Sequence, residues 1–137
     1  MYIDKFLQVS DDQAVTATAA STDVIDFGQA KPNSGMSDRL SMVVTVGEGA
    51  TAAGAATVTF TVQDSADNSS FADVISSGAI GKAALALGSQ IVLPMPTQHR
   101  RYVRLNYTVA TGPLTAGKFS AQVVTGIQQN DPYPDAL

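Results

Sequence analysis

Hydrophobic and polar residues alternate most strictly over residues 55–63, where Val58, Phe60 and Val62 share one face and Thr57, Thr59, Thr61 and Gln63 the other. Successive side chains of an extended strand point to opposite faces, so a period of two predicts a strand with one row buried and the other turned outward. The same period runs through residues 100–110. There Arg101, Val103, Leu105, Tyr107 and Val109 point one way, and Arg100, Tyr102, Arg104, Asn106 and Thr108 the other. A Thr-Gly-Pro-Leu-Thr-Ala-Gly connection leads to a second strand, predicting a long hairpin over residues 100–127. Val58, Phe60, Val62, Val103, Leu105, Tyr107 and Val109 are therefore expected in one core.

Shorter signals fill the rest of the chain. Residues 14–27 are rich in Thr and β-branched residues and predict one or two short strands; 28–38 carry turn formers (Pro32, Asn33, Gly35) and predict a loop. Residues 40–46 predict a strand with Met42, Val44 and Val46 on one face, followed by a flexible Gly/Ala loop at 47–54. The DSADNSS run at 64–70 reads as a polar turn, where Asp and Asn side chains bond nearby backbone N–H groups. Residues 71–76 and 90–93 predict further strands, the latter stopped by Pro94-Met95-Pro96. Residues 82–87 fit a helical turn or a strand. We favour the strand, because Gly81 and Gly88 bracket a window too short for a stable helix.

The resulting partition is an N-terminal arm or edge segment at 1–13, a β-domain at 14–127 and an extended tail at 128–137, where Pro132 and Pro134 exclude helix. A short amphipathic helix is the competing reading of the arm. Roughly eight short strands separated by turn signals, with no long helix and no fixed-period repeat, point to an all-β antiparallel sandwich or barrel in a single domain.

Composition narrows the function. The chain has no Cys and no Trp, one His (His99) and one Glu (Glu48), so thiol chemistry, cysteine zinc sites and the usual nucleophilic triads lack their parts. These absences leave an Asp-only active site as the one enzymatic alternative, for which the sequence offers no supporting constellation, and predict a protein that is not an enzyme and needs no metal or cofactor. Charged residues are 15% of the chain, below the usual quarter, which suggests that part of the surface is covered by a partner. Twenty residues are Ala, so the core is expected to be thin. A net charge of −4 argues against direct nucleic-acid binding, which demands a basic footprint. No apolar run approaches a membrane span, and MYIDKFLQVSDD, with Asp4, Asp11 and Asp12, does not read as a signal peptide.

Three features invite a functional reading. The DSADNS run lacks the spacing and closing Glu of a calcium loop, so a solvated turn is the better reading. His99 stands beside Arg100 and Arg101 with no second His, and reads as a surface or interface residue. Arg100, Tyr102 and Arg104 share the outward row: they either pair with acids on a neighbouring strand or form a docking patch, since Arg and Tyr are enriched where interfaces carry their energy. Tyr2 and Phe6 in the arm, and the stiff Pro132-Tyr133-Pro134 unit in the tail, complete the candidate partner interface.

The segments MYIDKFLQVSDDQAVTATAASTDVIDFG, FTVQDSADNSSFADVISSG and RRYVRLNYTVATGPLTAGKFSAQVVTG resemble the jelly-roll capsid cement (decoration) proteins of tailed bacteriophages. The resemblance implies a jelly-roll-like β-sandwich, synthesised in the host cytoplasm, on the outer surface of an icosahedral capsid. Its implied partner is the major capsid protein, on which it would sit as a homo-oligomer, dimer or trimer, and stabilise the shell against internal DNA pressure. The alternative is a carbohydrate-binding or host-attachment module, since fold does not fix function. The lack of Trp, the usual platform for sugar rings, counts against it, and Tyr2, Tyr102, Tyr107 and Tyr133 would have to substitute.

Overall fold

A computed structural model describes residues 2–34 and 38–128. Nine strands build two antiparallel sheets: β1 (Gln8–Ala14), β2 (Ala19–Ala20), β3 (Ile25–Asp26), β4 (Ser41–Thr51), β5 (Thr57–Ser65), β6 (Ala72–Gly81), β7 (Gln90–Pro94), β8 (Tyr102–Ala110) and β9 (Ala116–Val124). One sheet runs β1-β9-β4-β7. The other runs β2-β8-β5-β6, with β3 also on β8, so that β2 and β3 act as one interrupted strand. Of strands adjacent in sequence, only β5 and β6 pair among the described residues; the other connections change sheet or interrupt a strand. This alternation of sheets is the jelly-roll arrangement expected from the resemblance.

The two strict alternations lie side by side in one sheet and together form one wall of the core. Val58, Phe60, Val62, Val103, Leu105 and Tyr107 are buried, and β5 and β8 pair with Phe60 opposite Tyr107. Val109 is the exception, half-buried near the strand's end. Phe119 of β9 closes on that pair from the opposite sheet, with ring centroids 5.4 Å from Phe60 and 5.7 Å from Tyr107. The Tyr107 hydroxyl crosses the core to donate to Ser10 Oγ at 2.8 Å, tying the second sheet to β1. Thr61, on the outward row of β5, is also buried, because this strand is flanked on both sides.

Several sequence expectations need correction. Residues 100–127 are not a hairpin: β8 and β9 lie in different sheets, and the connection between them crosses the sandwich edge with Leu114 buried. Strand β8 begins at Tyr102 rather than Arg100, because the Arg100 N–H bonds the Asp64 side-chain carboxylate (2.9 Å) instead of a backbone carbonyl of the neighbouring strand. The Gly-Glu-Gly stretch is not a loop. β4 continues through it to Thr51 by way of two register shifts against β9. Glycine permits close approaches on both sides: a Cβ on Gly47 would collide with the Asp12 carboxylate, and one on Gly49 would sit 3.5 Å from the Leu87 amide nitrogen. Lys82–Ala84 form a single 3-10 turn rather than a strand. At the N-terminus, a 3-10 turn at Lys5–Leu7 leads directly into β1, so residues 8–13 of the arm form an edge strand of the sandwich.

Candidate functional site

The registers gather the candidate residues at one end of the sandwich. Ser41 pairs with both Val124 and Pro94, and Gln8 with Gln122, so β1 enters and β9 leaves at that end of the first sheet. The segment from Pro94 crosses there to Tyr102, which pairs with Ser65 and Asp26 in the second sheet. This end therefore holds the N-terminal segment, the segment after β3, the Ser65–Ser70 turn and residues 95–101.

The N-terminal segment leaves its large side chains in solvent. Tyr2 is 99% exposed, Phe6 90% and Ile3 54%. Phe6 is held outward by local geometry. Asp4 caps the 3-10 turn, its carboxylate accepting from the Phe6 N–H at 2.9 Å, while Leu7 on the next position packs against the core. An exposed aromatic on a capped turn is presented rather than trailing, and nothing among the described residues covers it.

Arg100 pairs with an acid of the neighbouring strand, the first of the two sequence readings, whereas Arg104 bonds the Gln63 amide. Arg100 donates from Nε (2.9 Å) and Nη2 (2.8 Å) to Asp64 Oδ1, and from Nη2 to the Asp64 carbonyl (2.8 Å). Asp64 is 8% exposed, so this multiple bond satisfies a carboxylate that water reaches poorly. Arg104 donates to Gln63 Oε1 (2.9 Å), its guanidinium carbon lies 3.8 Å from the Phe71 ring centroid, and Gln63 in turn donates to Asp73 (2.7 Å). Arg101, from the other row, grips Asp26 in a fork of 2.7 and 2.9 Å and lies 5.1 Å from the Tyr102 ring centroid. Arg101, followed by the Gly28 N–H, holds the Asp26 carboxyl down at about 2. Side chains fixed this way lose little further freedom on docking, which is a property of preorganised interfaces.

The polar turn is held just as firmly. Asp67 accepts from the Ser70 N–H (2.9 Å), the Ser65 hydroxyl (2.8 Å) and the Ser69 N–H (2.9 Å), which together lower its carboxyl to about 2. Asn68 takes the left-handed conformation the turn requires (φ 58°). The Asp67 carboxylate is thus committed to backbone and hydroxyl donors.

His99 is buried rather than on the surface, at 7% exposure. Phe27 packs on its ring at 4.7 Å, and Ser34 Oγ lies 2.7 Å from Nε2. Nδ1 lies 2.9 Å from the Arg100 carbonyl, which places the proton on Nδ1 in the neutral ring and makes Nε2 the acceptor of the Ser34 hydroxyl. Residues 30–34 and 97–100 enclose an open cavity of about 1050 Å³ with Asp64 and Arg100 in its wall. Among the described residues no group of three or more His, Asp and Glu is placed to hold a metal, and no helix is long and apolar enough to cross a membrane. Pro132, Tyr133 and Pro134 lie outside the described residues.

Sequence reasoning named the arginines but missed their partners. Asp64 hides in a run that reads wholly as a turn, and Asp26, Gln63 and Phe71 come close only through strand pairing. The Ser34–His99 contact spans 65 positions and left no local signal.

The Bbp16 family matches residues 9–123, from β1 to the penultimate residue of β9. This chain belongs to the Bbp16 family. The family is phage-related. The match covers the Bbp16 sandwich and stops short of Tyr2, Ile3 and Phe6. No curated protein matches the chain.

Proposed function

We propose that this Bbp16-family chain is a structural virion protein that binds the outer surface of an icosahedral phage capsid and cements neighbouring major capsid subunits, stabilising the shell against internal DNA pressure. In this reading it is not an enzyme and uses no metal or cofactor. It works by adding interface: each copy spans two shell subunits, so separating them also breaks the contacts of the cement, and repetition over the lattice multiplies the effect.

The observation that carries the proposal is the presentation of Tyr2, Ile3 and Phe6 in solvent at the same end as the braced arginines. Large exposed apolar side chains at the same end as fixed Arg and Tyr have the make-up of an interface core with its polar rim. The phage-related family supports the setting, and the jelly roll supplies a stiff spacer behind the contact. Of the tyrosines a sugar-binding platform would use, Tyr107 is buried in the core and Tyr102 packs beside Arg101, which leaves Tyr2 alone among the described residues.

The test is co-sedimentation of purified protein with undecorated capsids. Burying an aromatic side chain contributes about 1.5–3 kcal/mol, so Tyr2→Ser and Phe6→Ser should each weaken binding about tenfold or more while circular dichroism stays unchanged. Full-strength binding by the double variant would remove these residues from the contact.

A further inference from the structure

Ser34 and His99 make a nucleophile–base pair that no local motif announces. The Ser34 hydroxyl donates to His99 Nε2 at 2.7 Å, and His99 Nδ1–H donates to the Arg100 carbonyl at 2.9 Å. A serine is activated by this order of contacts: hydroxyl, imidazole, then a third group that fixes the imidazole's tautomer and orientation. Here the third group is a backbone carbonyl. The pair therefore needs no further acid or histidine, the parts whose scarcity argued against a triad at the level of composition.

The surroundings hold the base in place. Phe27 packs on the buried His99 ring and is itself anchored, its N–H donating to the Arg101 carbonyl at 3.0 Å. The Asp64 carboxylate accepts from the Arg100 backbone N–H at 2.9 Å and from its guanidinium at 2.8 Å, which fixes the residue whose carbonyl orients the ring. Ser34 is half-buried and lines the open cavity of about 1050 Å³, so a small molecule can reach its oxygen. Lys31 lines the same cavity and makes no ion pair among the described residues.

We propose that Ser34 is a nucleophile that takes an acyl group from an activated ester in this cavity, with His99 as its general base. Ser34 Oγ bonds to the ester's carbonyl carbon as the hydroxyl proton passes to His99 Nε2. The bond from that carbon to the leaving oxygen then breaks, and the alcohol departs with the proton. The products are an ester on Ser34 and one free alcohol. The charge on Lys31 favours the negative charge that develops on the attacked carbonyl oxygen. The acid of a protease triad is worth on the order of 10⁴ in rate. The Arg100 carbonyl keeps the tautomer control but offers the transient imidazolium no opposite charge. Acylation is therefore a slow event that occurs once per chain, and the cement reading, which involves no turnover, stands beside it unchanged.

Incubation of the purified chain with p-nitrophenyl acetate, followed by peptide mass spectrometry, tests the assignment. The expected result is an acetyl group on Ser34. A fluorophosphonate probe, which reacts with base-activated serines and displaces fluoride, should label the same residue. Ser34→Ala should lose both adducts at unchanged circular dichroism. His99→Gln, which removes the base, should slow the labelling of Ser34 about a hundredfold or more, the usual worth of general-base catalysis. Mapping the adducts on the natural chain needs no variant, so that measurement decides even where His99→Gln fails to fold. Adducts confined to lysines, or Ser34 labelled at an undiminished rate in a folded His99→Gln chain, would overturn the proposal. Neither measurement involves capsids, so its outcome is independent of the cement reading.

Discussion

Tyr107 holds three relationships at once: its ring packs with Phe60 and Phe119, its strand lies at the centre of one sheet, and its hydroxyl reaches Ser10 in the other. Burial pushes its phenol up to about 12, the Ser10 contact only partly opposing the shift. A raised folded-state value means that its contribution is fully present below the ordinary value of 10 and is lost as pH rises through about 12. Urea titrations between pH 7 and 12 should therefore show stability falling above pH 10. Tyr107→Phe should cost about 1 kcal/mol at pH 7, the usual net worth of a hydrogen bond, and flatten the alkaline decline. An unchanged alkaline slope would show that other groups cause it. The burial of Tyr107 was legible from alternation alone, since its neighbours Val103 and Leu105 share its parity. Its Ser10 partner was not, because the contact joins positions 97 apart in the sequence. A separation of 36 positions likewise hid the Asp64 that binds Arg100.

At the scale of elements, alternation identified β5, β8 and the first half of β4, and it failed where a connection decides the outcome. A hairpin and a sheet-switching pair require the same inward-facing rows in both strands, so residues 100–127 read identically either way. The difference lies in the linker. Thr111 and Gly112 turn through positive φ, Leu114 is buried, and its N–H bonds the Thr16 carbonyl at 2.9 Å. Packed sheets lie about 10 Å apart, beyond the reach of a two-residue hairpin turn. Replacing Thr111–Thr115 with Asn-Gly should consequently abolish cooperative unfolding, as followed by circular dichroism and NMR dispersion. A folded, stable variant would mean that β8 and β9 pair directly. Glycine misled in the opposite direction at 47–54: it reads as flexibility, yet here it admits the Asp12 carboxylate and the Leu87 backbone against an extended strand.

Taken whole, the molecule gathers its candidate residues by position. One end collects Tyr2, Ile3 and Phe6, the Asp67 turn and the braced Arg100 and Arg104. Composition had already suggested a covered surface through its low charge, but only strand order shows which residues share an end. The most direct test of the cement reading is an electron-microscopy reconstruction of undecorated capsids incubated with the purified protein. The account predicts density on the outer shell bridging neighbouring capsid subunits, with the end that carries Tyr2 and Phe6 turned toward them. Capsids that stay bare, or a sandwich that meets the shell through its opposite end at residues 111–115, would contradict it.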